Sequence, residues 1–260
     1  MIRCSRQTRR LVSVAAGALI LSGCAARLAQ PVDVPARSST IATGTGTTGT
    51  IAARPGRPGF VVAAPHGGSD LYTDDMAVEI ARRTGFGLVV ATGFSLEPGG
   101  GPEPARRYQV NRPLEGVPGR PPAEQVASEG ARDVYAAYER RVLEAAQGPL
   151  RFYAEIHGND RAECAGQIEI ATVGVDRELA LRLRALAELI RDAHLRGNRE
   201  IQRLDVSIEP AEAARGAILT LPPRALQIDV PRCARRDWRE TYTSILADFL
   251  AQAVTLPVGR

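Results

Sequence analysis

His66 and His157, two of the three histidines in the 260-residue chain, close apolar runs in matching contexts. His66 ends "VVAAPH" and precedes Gly67 and Gly68; His157 ends "FYAEIH" and precedes Gly158. Taken singly, each reads as readily as a satisfied structural histidine. Together, two imidazoles at strand ends, with one carboxylate and an open fourth position, form the usual ligand set of a catalytic zinc ion. Asp70, four residues beyond His66, is the carboxylate candidate, and Gly67 and Gly68 carry no side chain to block approach to the imidazole. Asp74 and Asp75 compete for that role, but a place at a helix N-terminus already accounts for them. Glu155 stands two residues before His157, so on a strand it points to the same face and could orient the ring or line the site. Glu163 is a further candidate partner. His194 falls four residues after Ile190 on a helical stripe, where packing or the helix dipole explains it.

Two other stretches could complete a reaction centre. "YQVNRPLEG" places Asn111 and Arg112 in a long polar loop, where a guanidinium fork can hold a carboxylate bidentately or polarise a carbonyl. In a chain this rich in arginine, an ordinary surface residue is the equal alternative. "ALQIDVPRC" alternates apolar Leu226, Ile228 and Val230 with polar Gln227 and Asp229, and Asp229 comes just before a turn at Pro231. A carboxylate there can act as the general base toward metal-bound water, whose pKa the ion lowers toward neutrality. Capping of the following turn is its plain structural role.

These residues need a frame, and the pattern of the chain predicts one. Strands are expected at 61–64, 88–92, 151–156, 167–173, 203–208 and 225–230. Helices are expected at 73–84 with Thr73 as cap, at about 122–146, at about 176–196 and at 237–253. Residues 97–122, rich in Gly and Pro, read as a long irregular segment. Alternating strands and helices with buried, parallel-type strands imply an α/β fold, a three-layer α/β/α sandwich around a central mixed, mostly parallel sheet. In such sheets ligands gather at the C-terminal ends of strands, where both histidines and Asp229 fall.

Composition sets the outer bounds. At 44% hydrophobic and 24% charged, the chain has the makeup of an ordinary globular protein. Its net charge of +4 comes from arginine alone and is spread along the sequence, with no basic block interleaved with aromatics. Nucleic acid is therefore not expected as a partner. Residues 1–23 read as a secretory signal: Arg3, Arg6, Arg9 and Arg10, an apolar run from Leu11 to Leu21, and then "LSGC". That ending resembles the lipobox of bacterial lipoproteins, which makes Cys24 the lipidated residue; a plain signal cut near Ala26 is the alternative. The apolar run is short of the roughly 18–20 residues of a spanning helix. Residues 24–58, rich in Ser, Thr, Gly and Pro, read as a flexible tether, and 59–256 as the folded domain. The location implied is the cell envelope, lipid-anchored to a bacterial membrane, most simply the outer one facing the periplasm. Cys164 and Cys233 are then an even pair in an oxidising compartment, where a disulfide is the default.

Taken in order, "PHGG…D…T", "NRP", "EIHGN" and "LQIDVPR" resemble the N-formylglutamate amidohydrolase family and related poly-γ-glutamate hydrolases. That likeness spans about Phe60 to Trp238 and implies a zinc-carboxypeptidase-like enzyme with a phosphorylase/hydrolase-like fold. Carried over residue by residue, it makes His66, Asp70 and His157 the ligands of one zinc ion. It makes Arg112, with Asn111, the binder of substrate carboxylate or scissile carbonyl, and Asp229 the general base. Three positions depart from the family. The second ligand and the base are usually Glu but are Asp here, and the Asp expected ahead of Asn-Arg is Gln109. The function implied is metal-dependent hydrolysis of an amide beside a carboxylate, on a small amide or peptide substrate. The departures leave open a lipoprotein that keeps the pocket for binding or assembly without catalysis.

Overall fold

Alternating apolar residues build the centre of the molecule, because successive side chains of a strand point to opposite faces of the sheet. The computed structural model describes residues 37–42, 48–94, 107–116, 124–159, 166–211 and 217–257. The signal segment, Cys24, Glu163 and Cys164 lie outside the described residues.

The described residues begin with β1 (Arg37–Ala42), β2 (Thr48–Arg54), β3 (Arg57–Gly67), α1 (Thr73–Thr84) and β4 (Phe86–Thr92). Three short strands follow, β5 (Arg107–Gln109), β6 (Leu114–Gly116) and β7 (Gln125–Val126), and then α2 (Glu129–Ala146). The second half contains β8 (Phe152–Asn159), β9 (Gln167–Val173), α3 (Arg177–His194), β10 (Asp205–Pro210), a 3₁₀ turn (Ala217–Thr220), β11 (Ala225–Pro231), α4 (Arg232–Arg236) and α5 (Arg239–Ala253). The main sheet has the order β1-β2-β4-β3-β8-β11-β9-β10. The pairs β4–β3, β3–β8, β8–β11 and β9–β10 are parallel. Pairs β1–β2, β2–β4 and β11–β9 are antiparallel. The sheet is thus mixed with a parallel majority, and α1, α2 and α3 provide the long crossovers that parallel neighbours require.

Side-chain parity sorts the core into two layers. Phe60, Val62 and Ala64 of β3, with Leu226, Ile228 and Val230 of β11, pack against α1, α3 and α5. Val61 and Ala63 of β3 and Tyr153 of β8 pack on the opposite face against Ala131, Val134, Tyr138 and Val142 of α2. Helices on both faces of one sheet make the expected three-layer sandwich.

Four expectations need correction. The tether at 24–58 is too long: residues 48–54 are β2, antiparallel to β4, with Ile51 and Ala53 buried beside α2. Its Thr- and Gly-rich composition hid a strand whose partner lies some forty residues on, at Leu88–Thr92. The segment at 97–122 is not irregular throughout, because β5 and β6 lie within it and form a small antiparallel sheet with β7 just beyond. Helix α2 starts at Glu129 rather than near 122, since Ser128 Oγ accepts from the Ala131 N–H (3.0 Å) and caps it. Thr73 is the first residue of α1 rather than its cap, and its hydroxyl donates to the Asp70 carbonyl instead (2.8 Å).

Candidate functional site

Strand register assembles the site's floor. In the parallel pair β8–β11, His157 stands opposite Asp229 and Glu155 opposite Gln227. In the antiparallel pair β11–β9, Asp229 also stands opposite Glu169. His157, Asp229 and Glu169 therefore form one row across three strands. By parity they share the face of Tyr153 and Ala225, the face that α2 covers farther along the sheet. His66 joins the row from the end of β3, where pairing with β4 slips between Ala64 and Gly67. Such an irregularity re-aims a side chain at a strand end. The result is a cavity of about 390 Å³ lined by His66, Asp70, Asn111, Arg112, His157 and Asp229. Gln109, Gln125, Gly158, Asn159, Glu169 and Gln227 complete its wall.

The two imidazoles and the carboxylate lie close together. The rings of His66 and His157 meet edge to face with centroids 5.1 Å apart. Nδ1 of His157 is 3.8 Å from Oδ2 of Asp70, and the Gly158 N–H donates to that same oxygen (3.1 Å). Asp70 is held by a tight turn, because the Ser69 and Asp70 N–H groups both donate to the His66 carbonyl (3.1 and 2.8 Å). Gly68, at φ +87°, supplies the left-handed residue this turn needs. Gly67 serves packing rather than access: a Cβ there would lie 3.1 Å from the Ala91 carbonyl oxygen and from Asp74.

The donor set fits a borderline metal such as zinc. Two donor atoms about 2.0–2.1 Å from one tetrahedral zinc stand roughly 3.3–3.4 Å apart. The 3.8 Å between His157 Nδ1 and Asp70 Oδ2 is within half an ångström or so of that. Among the described residues no group of three His, Cys, Asp or Glu side chains is already gathered at ligating distance, so binding an ion calls for these side chains to draw together. Nε2 of His157 is engaged by Glu155 Oε2 (2.9 Å), which leaves Nδ1 as the nitrogen toward Asp70. Burial is the largest influence on His157 and disfavours its charged form. The Glu155 hydrogen bond and the charges of Glu155, Asp229 and Asp70 together outweigh it and raise the pKa.

Arg112 and Asn111 reach the cavity from the turn between β5 and β6. The Arg112 N–H donates to the Gln109 carbonyl (3.0 Å), and the Leu114 N–H to the Arg112 carbonyl (2.8 Å). Asn111 is buried; its Nδ2 donates to Glu155 Oε2 (3.0 Å), while its Oδ1 has no hydrogen-bond partner among the described residues. Asp229 Oδ2 accepts from Gln227 Nε2 (3.0 Å). Glu155, expected among the substrate-binding residues, is fully buried and does not line the cavity. It lies beneath the site, where Oε1 accepts from the Tyr153 hydroxyl (3.0 Å), itself paired with the Tyr138 hydroxyl (2.8 Å). His194 is elsewhere, on the α3–α5 contact, with Nε2 2.8 Å from Asp248 Oδ2.

Arg235 carries no distinguishing mark in the sequence, yet it ties the site's loops together. It is 1% exposed. Its Nε donates to the Val230 carbonyl (3.0 Å), Nη1 to Leu71 (2.6 Å) and Nη2 to Asn159 (3.0 Å). Those carbonyls follow Asp229, Asp70 and His157, one in each site-bearing segment. Gly158 is what lets the guanidinium in: a Cβ there would fall 2.4 Å from Arg235 Cζ.

No family model matches the sequence, and no curated protein matches it. Among solved structures, the chain is similar to a bacteriophage poly-gamma-glutamate hydrolase at 13% identity, TM-score 0.46, over 80% of this chain and 89% of that one. An aspartoacylase family protein from Mesorhizobium loti is similar at 12% identity, TM-score 0.46, over 88% and 70%. A metallo-carboxypeptidase from Burkholderia cenocepacia is similar at 12% identity, TM-score 0.43, over 88% and 65%. At that level of likeness nothing is carried over from them, and the chemistry rests on the site's own residues.

Proposed function

We propose that this protein is a metal-dependent hydrolase that cleaves an amide beside a carboxylate. The observation that carries the reading is one cavity lined by two imidazoles, three carboxylates (Asp70, Asp229 and Glu169) and a guanidinium. His66, Asp70 and His157 would hold one zinc ion, which would supply a water acidified toward neutral pH. Asp229, beside His157 on the adjoining strand, takes a proton as general base. Arg112 binds the substrate carboxylate through its fork. The buried Oδ1 of Asn111 offers an acceptor for a substrate N–H. Resemblance of the motif series to N-formylglutamate amidohydrolases supports a small amide or peptide substrate of N-acyl-glutamate, γ-glutamyl or peptidoglycan-peptide type.

The test uses the Cys24→Ala protein, metal-analysed and assayed on those three amide classes with and without chelator. Chelator-sensitive turnover of one class is expected. An inert protein that still binds zinc and a carboxylate ligand would refute catalysis and support a binding module. Absence of metal binding would sink the site assignment itself.

The signal-like start supports a cell-envelope location, with Cys24 acylated and the folded part facing the periplasm. Intact-mass analysis should find a lipidated N-terminal Cys24; an unmodified start elsewhere would refute this. A Cys164–Cys233 disulfide completes the proposal, and two titratable thiols in denatured, unreduced protein carrying both Cys4→Ala and Cys24→Ala would exclude it.

A further inference from the structure

We infer that Glu155 is a positioning residue that sets two separate parts of the site at once, the His157 ring and the Asn111–Arg112 turn. The inference rests on the reading of His157 as a metal ligand and Arg112 as the carboxylate binder. Glu155 is fully buried, and its contacts all point toward this role. Oε2 takes both Asn111 Nδ2 (3.0 Å) and His157 Nε2 (2.9 Å). Oε1 takes the Tyr153 hydroxyl (3.0 Å), which is fixed in turn by Tyr138 of α2 (2.8 Å). A single oxygen therefore joins strand β8 to the β5–β6 turn, 44 residues earlier in the chain.

A buried acceptor shared by two donors fixes both donors. Asn111 can present only its NH₂ group to Glu155, so its Oδ1 is turned elsewhere, and the backbone of the next residue, Arg112, is located by the same bond. His157 in its neutral form must carry its proton on Nε2 to donate to Glu155, which leaves the Nδ1 lone pair toward Asp70. The opposite tautomer would place a proton between Nδ1 and Asp70 and a lone pair against the Glu155 oxygen. Ligand histidines are commonly held in this way by a carboxylate behind the ring, and loss of such a partner lowers metal affinity by about 10–100-fold. Here the same carboxylate also holds the substrate side of the cavity.

The geometry, rather than the charge, is the working feature, and Glu155→Gln separates the two. A glutamine can keep its oxygen toward Asn111 and His157 while its NH₂ donates to Tyr153, whose hydroxyl then turns to Tyr138. Glu155→Met keeps the bulk and loses both acceptors. The first measurement is ¹⁵N NMR of the histidine rings in metal-free wild-type protein at alkaline pH, where the ring is neutral. His157 should show one tautomer with the proton on Nε2; a proton on Nδ1 would overturn the inference. The second is zinc affinity by chelator competition, together with binding of N-acetylglutamate to the metal-free protein. Glu155→Met should mix the tautomers, weaken zinc by about 10–100-fold and weaken the carboxylate probe, whereas Glu155→Gln should restore both. A folded Glu155→Met protein with wild-type values would refute the role. Should that variant fail to fold, the wild-type tautomer and the Gln variant still decide. Failure of the wild type to bind zinc would refute the hydrolase reading instead, because the tautomer is read without metal.

Discussion

Gly158→Ala should be among the most damaging single-methyl additions in this protein, although Gly158 lies on a strand with no need for a left-handed backbone. The new Cβ would stand 2.4 Å from Cζ, 2.6 Å from Nη1 and 2.7 Å from Nη2 of Arg235. Non-bonded carbon contacts settle at about 3.5–4.0 Å, so the guanidinium must retreat by roughly an ångström. A surface arginine would swing away at little cost. Arg235 cannot, because it is buried and donates to the carbonyls of Val230, Leu71 and Asn159. Hydrogen bonds to charged groups contribute about 1.5–3 kcal/mol each, and losing the two Nη bonds corresponds to about 3–6 kcal/mol. That agrees with the roughly 3–5 kcal/mol for stripping a buried charge of its partner. The Gly158 N–H also donates to Asp70 Oδ2, so displacement reaches a proposed ligand directly. Urea unfolding of wild type, Gly158→Ala, Arg235→Ala and the double variant forms the test. If the clash is the cause, the double variant should be no less stable than Arg235→Ala, since no guanidinium remains to collide with. Gly158→Ala within about 0.5 kcal/mol of wild type, a typical surface substitution effect, would refute the reasoning, and so would additive effects.

The remaining predictions concern the proposed chemistry. His66→Ala and His157→Ala should each abolish binding of about one zinc per chain, a count set by one set of three protein ligands. His194→Ala should leave it intact, and equal metal loss there, checked by metal analysis after dialysis, would undo the assignment. Asp229→Asn should keep fold and metal but lower kcat by about 10²–10⁴-fold, the usual contribution of a general base. Survival of turnover would move the base elsewhere, with Glu169, opposite Asp229 across the strand pair, as the next residue to replace. Arg112→Lys should chiefly raise KM for carboxylate-bearing substrates, since charge remains while the fork is lost; an unchanged KM would remove Arg112 from binding.

Much of this arrangement is legible in the order of the residues. The runs before His66 and His157 read as buried strands because continuous apolar residues suit a sheet covered on both faces. Period-two alternation around Asp229 likewise predicts which residues turn away from the core, and β11 follows it. The elements that the residue pattern hides have a common cause. Strand β2 is weakly apolar and becomes a strand by pairing with β1 on one side and β4 on the other. The strands β5, β6 and β7 are two or three residues long and have no periodicity to read. Glu169 sits in "GQIEIATV", whose pattern shows a strand but not that it stands opposite Asp229.

The sequence by itself determined the candidates: residue types able to ligate, donate or accept, placed at the ends of apolar runs where a sheet exposes its tips. Register and burial were decided only by the tertiary structure. Whether Glu155 faces substrate or lies under His157 depends on the Asn111 turn, Tyr153 and Tyr138 closing over it, and those come from three different elements. Arg235 is one arginine in an arginine-rich run until residues 71, 159 and 230 surround it with carbonyls. Local propensity acts over a few residues, whereas a buried guanidinium or carboxylate takes its role from partners brought near it only when the whole sheet has formed.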